Sequence, residues 1–279
     1  MASVTGRISK IKQPYGGYIK PSSLNKTLLN SEDILNEEEN IPPSIVGTVV
    51  DYMTRFLITG NKERAFSISL EGVWKAYKSH NRSVLSIASN LFEEIKGLED
   101  KSIINACKLV TFDVWYRNPI GAMLAGESCN TINPDQMTIN NITILIKRSI
   151  KFFDEYGPII CNSFSFKPKG GRSENFKSIA HPKSSTYGGY TSTVDSGDGD
   201  FLTKDTLWDF KVSKHNPTSA DTLQLLMYWI MGQHSERDEF KGIKKLGIFN
   251  PRLNVVYLYD IDNVPKEVIE EIERDVICY

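Results

Sequence analysis

An aspartate and a lysine on a short apolar strand are the side chains of this sequence best suited to chemistry. In TLWDFKVS, residues 206–213, Asp209 and Lys211 stand two positions apart. Side chains alternate between the two faces of a β-strand, so both should project to one face and Phe210 to the other. A polar pair of this kind is either a solvated surface pair or part of a functional site.

A second acid lies just upstream of this pair. GDFLT, residues 199–203, reads as a strand that forms a hairpin with TLWDFKVS, and this hairpin places Asp200 level with Asp209. Two carboxylates beside an ammonium suit a divalent metal site, because hard oxygen ligands hold Mg²⁺ or Mn²⁺. Such a metal activates a bound water molecule for attack on a phosphodiester. The lysine orients that water or offsets the negative charge of the transition state. Asp198 is an alternative to Asp200, and the run DSGDGD is also consistent with a plain turn.

The segment after the strand carries two further polar side chains. TSADTLQLLMYWIMGQH, residues 218–234, has helical spacing and places Gln224 and Tyr228 four residues apart, on one face of the helix. Within so apolar a segment, these two residues are either ordinary members of the core or groups that support a site on the neighbouring strand.

The order and spacing of these residues resemble the motifs of the PD-(D/E)xK nuclease superfamily, in particular its RecB-like branch. The matching patterns are G-x-x-D-F at 197–201, D-F-K at 209–211 and Q-x-x-x-Y at 224–228. Each pattern alone is common in unrelated proteins, and it is their combination that carries the resemblance. The resemblance covers residues 197–228 and leaves the helical half of the chain unmatched.

The resemblance also implies a role for each motif residue. Asp200 and Asp209 would bind Mg²⁺ or Mn²⁺, helped by the backbone carbonyl of Phe210. Lys211 would be the catalytic lysine. The residues that would steady the site and the nucleic-acid backbone are Gln224 and Tyr228.

One further ligand is implied by an earlier helix. Many relatives carry G-x-x-x-H, in which the histidine reaches the metal, and this chain has Gly47 followed four residues later by Asp51. By resemblance, Asp51 replaces that histidine as a third oxygen ligand. The alternative is an ion pair between Asp51 and Arg55, which lie four residues apart on the same helix.

Composition excludes some classes of protein and leaves others open. The net charge is −1, so nucleic-acid binding would depend on local basic patches rather than on the overall field. One clearly basic segment precedes the hairpin, and it is either a substrate-binding loop or a solvated surface loop. Its basic residues are Lys167, Lys169, Arg172, Lys177 and Lys183.

The sequence predicts a cytoplasmic location. No stretch approaches the roughly 20 apolar residues of a membrane span, and the first residues lack an apolar secretory segment. The widely spaced cysteines argue against a zinc ribbon or an iron–sulfur cluster, and they are Cys107, Cys129, Cys161 and Cys278.

The order of elements predicts an α/β fold. Residues 1–42 read as an extended or poorly structured arm, 43–160 as a helical region, and 161–279 as the nuclease core in the order β-β-α-β-β-α. The alternative is that residues 43–279 form one continuous domain. By resemblance, the core is a central mixed β-sheet flanked by helices, like that of restriction endonucleases, with a large N-terminal helical layer.

Together with the resemblance, these observations predict a metal-dependent nuclease that hydrolyses nucleic acid, with DNA as the expected substrate and RNA as the alternative, in repair, recombination or phage defence. A helicase or other protein partner fits the resemblance, because RecB-like domains often work in such assemblies and this chain has no phosphate-binding loop of its own. Two alternatives stay open. One is a catalytically inactive nuclease-fold subunit that binds nucleic acid or assembles with partners, and the other is a small-molecule or nucleotide phosphohydrolase.

Overall fold

The computed structural model describes residues 2–79, 83–125, 129–167 and 188–279. These residues form an α/β fold with a mixed, open sheet of seven strands and eleven α-helices. They divide into two compact units. The sheet unit contains residues 2–30, 152–167 and 188–279, and the helical unit contains residues 31–79, 83–125 and 129–151.

The sheet combines antiparallel and parallel pairs. Its order is β1-β4-β5-β6-β7-β2, and β3 pairs with β4. The pairs β3–β4, β4–β5, β6–β7 and β2–β7 are antiparallel, whereas β1–β4 and β5–β6 are parallel. The strands are β1 (Ala2–Ser3), β2 (Asn25–Leu28), β3 (Cys161–Phe166), β4 (Val194–Leu202), β5 (Thr206–Phe210), β6 (Lys245–Asn250) and β7 (Val255–Asp260).

The helices lie mostly in the first half of the chain. They are α1 (Val4–Ile8), α2 (Pro43–Thr59), α3 (Lys62–Ala65), α4 (Ser67–Lys78), α5 (Val84–Glu93), α6 (Asp100–Leu109), α7 (Asp113–Arg117), α8 (Pro119–Ala125), α9 (Gln136–Tyr156), α10 (Ser219–Gln233) and α11 (Lys266–Glu271). A π-helical segment, Ile272–Ile277, continues α11. Among the described residues, no helix has the length and apolar character needed to cross a membrane.

The two faces of β5 contact different halves of the core. Leu207 belongs to the apolar cluster that α10 contributes to through residues such as Leu223 and Met227. Trp208, next along the strand, points the other way and meets Phe152 of α9, with ring centroids 4.9 Å apart. The alternation of side chains expected of a strand therefore places the odd-numbered residues of β5 on the α10 side.

Helix α10 connects β5 to β6, which lie parallel and so need a long crossover. Its first turn is fixed by capping, because the backbone N–H and the hydroxyl of Thr218 both donate to Asp221 Oδ2 at 2.7 Å. The Thr222 hydroxyl donates to the carbonyl of Ile19 at 2.8 Å and fixes the same turn from the other side. The crossover brings the start of α10 to the carboxyl end of β5.

The helical unit contains a buried polar centre. Asp113 accepts hydrogen bonds from the hydroxyls of Ser69, at 2.6 Å, and Tyr52, at 2.7 Å. Helix α2, which supplies Tyr52, begins at Pro43 and ends at Thr59, and the next residue, Gly60, caps it with a positive φ of 67°.

The first residues of the chain differ from the expectation of an arm. Segment 1–42 supplies two edge strands, β1 and β2, and the short helix α1 to the described structure. Asn25 to Leu28 pair with Leu258 to Val255 of β7. Strand β3 is a further strand, which the predicted order β-β-α-β-β-α for the second half of the chain does not contain.

Candidate active site

Asp209 lies in β5 one residue before its carboxyl end, on the face turned toward α10. Its residue exposure is only 4 %, whereas a strand of this composition would normally place an apolar side chain there. In open α/β sheets, ligand sites lie at the carboxyl ends of strands, and Asp209 is placed accordingly.

Lys211 follows two residues later and projects to the same face, as the sequence predicted. Its backbone N–H donates to the carbonyl of Phe249 at 2.9 Å and so extends the β5–β6 pairing beyond the strand. Its Nζ lies 3.0 Å from Asp209 Oδ2, 3.1 Å from Gln224 Oε1 and 3.5 Å from Asp221 Oδ1. The ammonium therefore lies among two carboxylate oxygens and one amide oxygen.

Asp200 joins this pair from the neighbouring strand. The β4–β5 register pairs Phe201 with Trp208, and the same register continued by one residue sets Asp200 opposite Asp209. The Oδ2 atom of Asp200 accepts the backbone N–H of Phe210 at 2.8 Å. The tight hairpin expected from the short interval between the two acids is therefore present, and it brings both carboxylates together.

Gln224 and Tyr228 connect the lysine to β4. Gln224 accepts from Lys211 and donates from Nε2 to the Tyr228 hydroxyl at 3.1 Å. That hydroxyl donates to the backbone carbonyl of Asp198 at 2.7 Å. The two helical residues thus form a hydrogen-bonded connection from the end of β5 to the strand that carries Asp200.

A glycine leaves space for this connection. A Cβ atom at Gly197 would lie 3.0 Å from the ring of Tyr228 and 2.8 Å from a methyl group of Val4. Both distances are shorter than ordinary carbon contacts. The first position of G-x-x-D-F therefore has a packing reason to be glycine in this fold.

Asp198, the alternative to Asp200, occupies a different environment. Its side chain is 62 % exposed, and its Oδ1 lies 3.0 Å from Lys167 Nζ. Asp200, by contrast, contacts the backbone of β5 beside Asp209. Lys167 is the one member of the basic segment that the structure describes; the others, Lys169, Arg172, Lys177 and Lys183, lie outside the described residues.

Burial dominates the electrostatics of the acid pair. Desolvation raises the pKa of Asp209 to about 7, and the negative charge of Asp200 acts in the same direction, while the ammonium of Lys211 opposes both. For Lys211, burial disfavours the charge, but the carboxylates of Asp209 and Asp221 outweigh it and raise its pKa. Burial also raises the pKa of Tyr228, so its hydroxyl is neutral and can donate.

The carboxylate oxygens of Asp200 and Asp209 suit a divalent metal ion. The Oδ2 atom of Asp209 is buried, and among the described residues no donor makes a well-aligned hydrogen bond to it; its contact with Lys211 is an ion pair. A buried carboxylate oxygen without a hydrogen bond, beside a second carboxylate, suits a hard cation. No group of three or more His, Cys, Asp or Glu in the described part of the chain could hold a metal, so the fit rests on Asp200 and Asp209.

Asp51 lies in the helical unit, within α2. Its Oδ1 accepts from Arg55 Nε at 2.7 Å, which is the ion pair that the sequence left as the alternative to metal binding. A role for Asp51 as a third ligand stays a prediction, as does the role of the Phe210 carbonyl.

Asp221 is the site residue that sequence reasoning missed. Its position three residues after Thr218 is typical of a helix cap, and this local explanation accounts for an acid there without any site. The structure shows that only Oδ2 serves the cap, while Oδ1 faces Lys211. No short-range signal in the sequence distinguishes these two uses.

Comparisons of the chain with protein-family models, with curated proteins and with solved structures gave no match. The case for any particular activity therefore depends on the motifs and on the geometry of the site.

Proposed function

We propose that this protein is a metal-dependent nuclease of the PD-(D/E)xK type, similar to the RecB-like branch, which hydrolyses phosphodiester bonds in DNA rather than RNA. The observation that carries the proposal is the convergence of Asp200, Asp209 and Lys211 on one face of the sheet, at the carboxyl end of β5. Residues of two motifs, G-x-x-D-F and D-F-K, meet there through a hairpin and a strand end.

The architecture supports the same proposal. A central mixed sheet with α10 on one face and the end of α9 on the other is compatible with a restriction-endonuclease-like core. The antiparallel strands β3, β4 and β5, followed by α10 and the parallel strand β6, position the acids and the lysine.

In this proposal the chain's own residues divide the work. Asp200 and Asp209 hold Mg²⁺ or Mn²⁺ through their carboxylates, with the Phe210 carbonyl as a further oxygen ligand. The ion, when bound, polarises the scissile phosphate and lowers the pKa of a water molecule. Lys211 orients the attacking water and offsets the negative charge that develops on the phosphate.

The helix α10 supplies the supporting groups. Gln224 holds the ammonium of Lys211 by accepting one of its hydrogens, and Tyr228 fixes the backbone of β4 through the Asp198 carbonyl. These two contacts fix the position of Lys211 relative to the strand that carries Asp200.

The proposed reaction also suggests the biological processes in which the protein takes part. The chemistry fits DNA repair, recombination or defence against phage in the cytoplasm, with a helicase or another energy-supplying protein as partner. The sequence has no phosphate-binding loop, so ATP hydrolysis would come from that partner.

The test compares the parent with Asp209→Ala and Lys211→Ala on circular and linear DNA, with Mn²⁺ and with a chelator. We expect both variants to lose about a hundredfold or more of the cleavage rate while remaining folded. Lys204→Ala is the matched control, because Lys204 is an exposed lysine in the turn at the opposite end of β5. Cleavage by both site variants at the parental rate would contradict the assigned roles.

The same experiment distinguishes the alternatives. A parent that neither binds Mn²⁺ nor cuts DNA or RNA would support a catalytically inactive binding or assembly subunit. Release of phosphate from nucleotides without cleavage of polymers would support a phosphohydrolase.

A further inference from the structure

The carboxylate of Asp221 makes two different sets of contacts. Its Oδ2 accepts both the backbone N–H and the hydroxyl of Thr218, each at 2.7 Å. Its Oδ1 lies 3.5 Å from Lys211 Nζ, across the loop that joins β5 to α10. One side chain thus joins the start of the helix to the lysine at the end of the strand.

The helical turn that carries Asp221 is held in place by a further hydrogen bond. The first turn of α10 is fixed to the N-terminal segment, because the Thr222 hydroxyl donates to the Ile19 carbonyl at 2.8 Å. The side chain of Asp221 is 23 % exposed, so its charge is partly shielded from water. Capping requires only one acceptor oxygen, which an uncharged residue such as asparagine also supplies. The capping hydrogen bonds use only Oδ2, so Oδ1 and the charge of the carboxylate are available to Lys211.

The other acidic partner of Lys211 cannot hold it in all states of the proposed enzyme. Asp209 is a proposed metal ligand, and a carboxylate that binds a cation gives up part of its attraction for a neighbouring ammonium. Gln224 is neutral and offers one acceptor. Asp221 is the remaining negative charge within 4 Å of the ammonium among the described residues.

We propose that Asp221 is a positioning residue that holds the ammonium of Lys211 against the first turn of α10 at the end of β5. It does not contact the reacting atoms; it acts through the lysine. The kinetic consequence rests on the proposed nuclease function, whereas the contact itself can be tested without any activity.

Kinetic measurements on two variants separate the effect of the Asp221 charge from the effect of the α10 cap. Asp221→Asn keeps an acceptor for the cap and removes the charge, while Thr218→Ala weakens the cap and keeps the charge. We expect Asp221→Asn to lower kcat about tenfold or more with KM nearly unchanged, because misplacing a catalytic group by about 1 Å has effects of this size or larger. Thr218→Ala should retain parental kcat and KM even though it unfolds more easily.

A conservative replacement of Asp221 should restore part of the activity. Asp221→Glu restores the charge at a position where glutamate also serves capping, so it should recover part of the lost kcat. Parental kcat in Asp221→Asn would overturn the proposal. An equal fall in kcat for Thr218→Ala, or no recovery in Asp221→Glu, would also overturn it and assign Asp221 to the cap alone.

A second measurement needs no nuclease activity. Urea unfolding of Asp221→Asn, Lys211→Met and the double variant, all with chelator present, forms a double-mutant cycle. We expect the unfolding constant of the double variant to differ at least about threefold from the product of the single effects. Absence of coupling would overturn the proposal. If the parent cuts no nucleic acid, the proposed function fails, and this cycle still decides whether Asp221 holds Lys211.

Discussion

Removal of the ammonium from Lys211 should leave a charge buried without compensation. Lys211→Met keeps most of the length of the side chain and deletes the group that lies 3.0 Å from Asp209 Oδ2. Asp209 has a residue exposure of 4 %, so water cannot replace the lost partner. The variant therefore tests the electrostatic attraction between Lys211 and Asp209 with little change in packing.

The expected magnitude follows from the distance and the exposure. Two unit charges 3.0 Å apart attract each other by about 5 kcal/mol at an effective dielectric constant of about 20. The net loss is smaller, because the lysine side chain is 32 % exposed and its charge is partly screened. Breaking a buried ion pair from one side costs about 3–5 kcal/mol when the remaining charge persists. Asp209 has a pKa of about 7 and can protonate instead, so at about pH 8 we expect a loss of about 1.4 kcal/mol in the free energy of unfolding, because each pH unit above that pKa contributes about 1.4 kcal/mol.

The loss should depend on pH with a definite sign. Burial already raises the pKa of Asp209 to about 7, and removal of the ammonium, which opposes that effect, raises it further. An acid whose pKa is raised in the folded state favours folding most when it is protonated. The variant should thus be close to the parent at about pH 5 and should lose stability as the pH rises through the folded-state pKa.

Urea unfolding with chelator present, at about pH 5 and about pH 8, measures this effect. Asp209→Asn combined with Lys211→Met should recover most of the loss, because no charge then remains buried. Lys204→Met, an exposed lysine in the β4–β5 turn, is the control and should unfold like the parent. Parental stability of Lys211→Met at the higher pH, or a double variant as unstable as the single one, would refute the reasoning.

Two other predictions concern the buried acid of the helical unit and the glycine of the site. Burial raises the pKa of Asp113, so the contribution of this carboxyl group to stability should be greatest below the ordinary pKa of 3.8 and should be lost as the pH rises through the folded-state pKa. Asp113→Asn should flatten this dependence in urea unfolding measured across pH. Gly197→Ala should cost about 1–3 kcal/mol, because its Cβ would press on Tyr228 and Val4. A calorimetric unfolding scan measures that loss, and parental stability would contradict the packing argument.

The local part of the fold could be predicted from the sequence because its signals are short in range. The alternation of apolar and polar residues predicted the strand that carries Asp209 and Lys211. Proline and glycine at the two ends predicted α2, whose bounds are Pro43–Thr59. The turn after Leu202 predicted the β4–β5 hairpin, and the register that followed placed Asp200 opposite Asp209.

The edges of the sheet could not be predicted in the same way. Strand β2 is short, and all four of its residues are exposed, so it has no alternation of apolar and polar positions. Its pairing partner is β7, more than two hundred positions away along the chain, as in the pair Asn25 and Leu258. Strand formation there depends on an available edge of β7 rather than on local propensity.

Asp221 illustrates a different limit of sequence reasoning. The local explanation of an acid three residues after Thr218 was correct, since the side chain does cap α10. It was incomplete, because the second oxygen of the carboxylate serves Lys211. A residue with a sufficient local explanation gives no reason to look for another role, and only the three-dimensional arrangement of strand and helix reveals one.

The contrast between two buried aspartates argues that Asp209 is there for function rather than for stability. Asp113 has both carboxylate oxygens hydrogen bonded, one to Ser69 and the other to Tyr52, which is typical of a structural polar group. Asp209 occupies the same strand face as the fully buried Leu207, and its Oδ2 lacks a well-aligned hydrogen bond among the described residues. An apolar residue at this position would serve the core better, because a buried ion pair seldom adds net stability. Positions where a sequence departs from the pattern that would stabilise its own fold are those where functional sites are expected, and Asp209 is such a position.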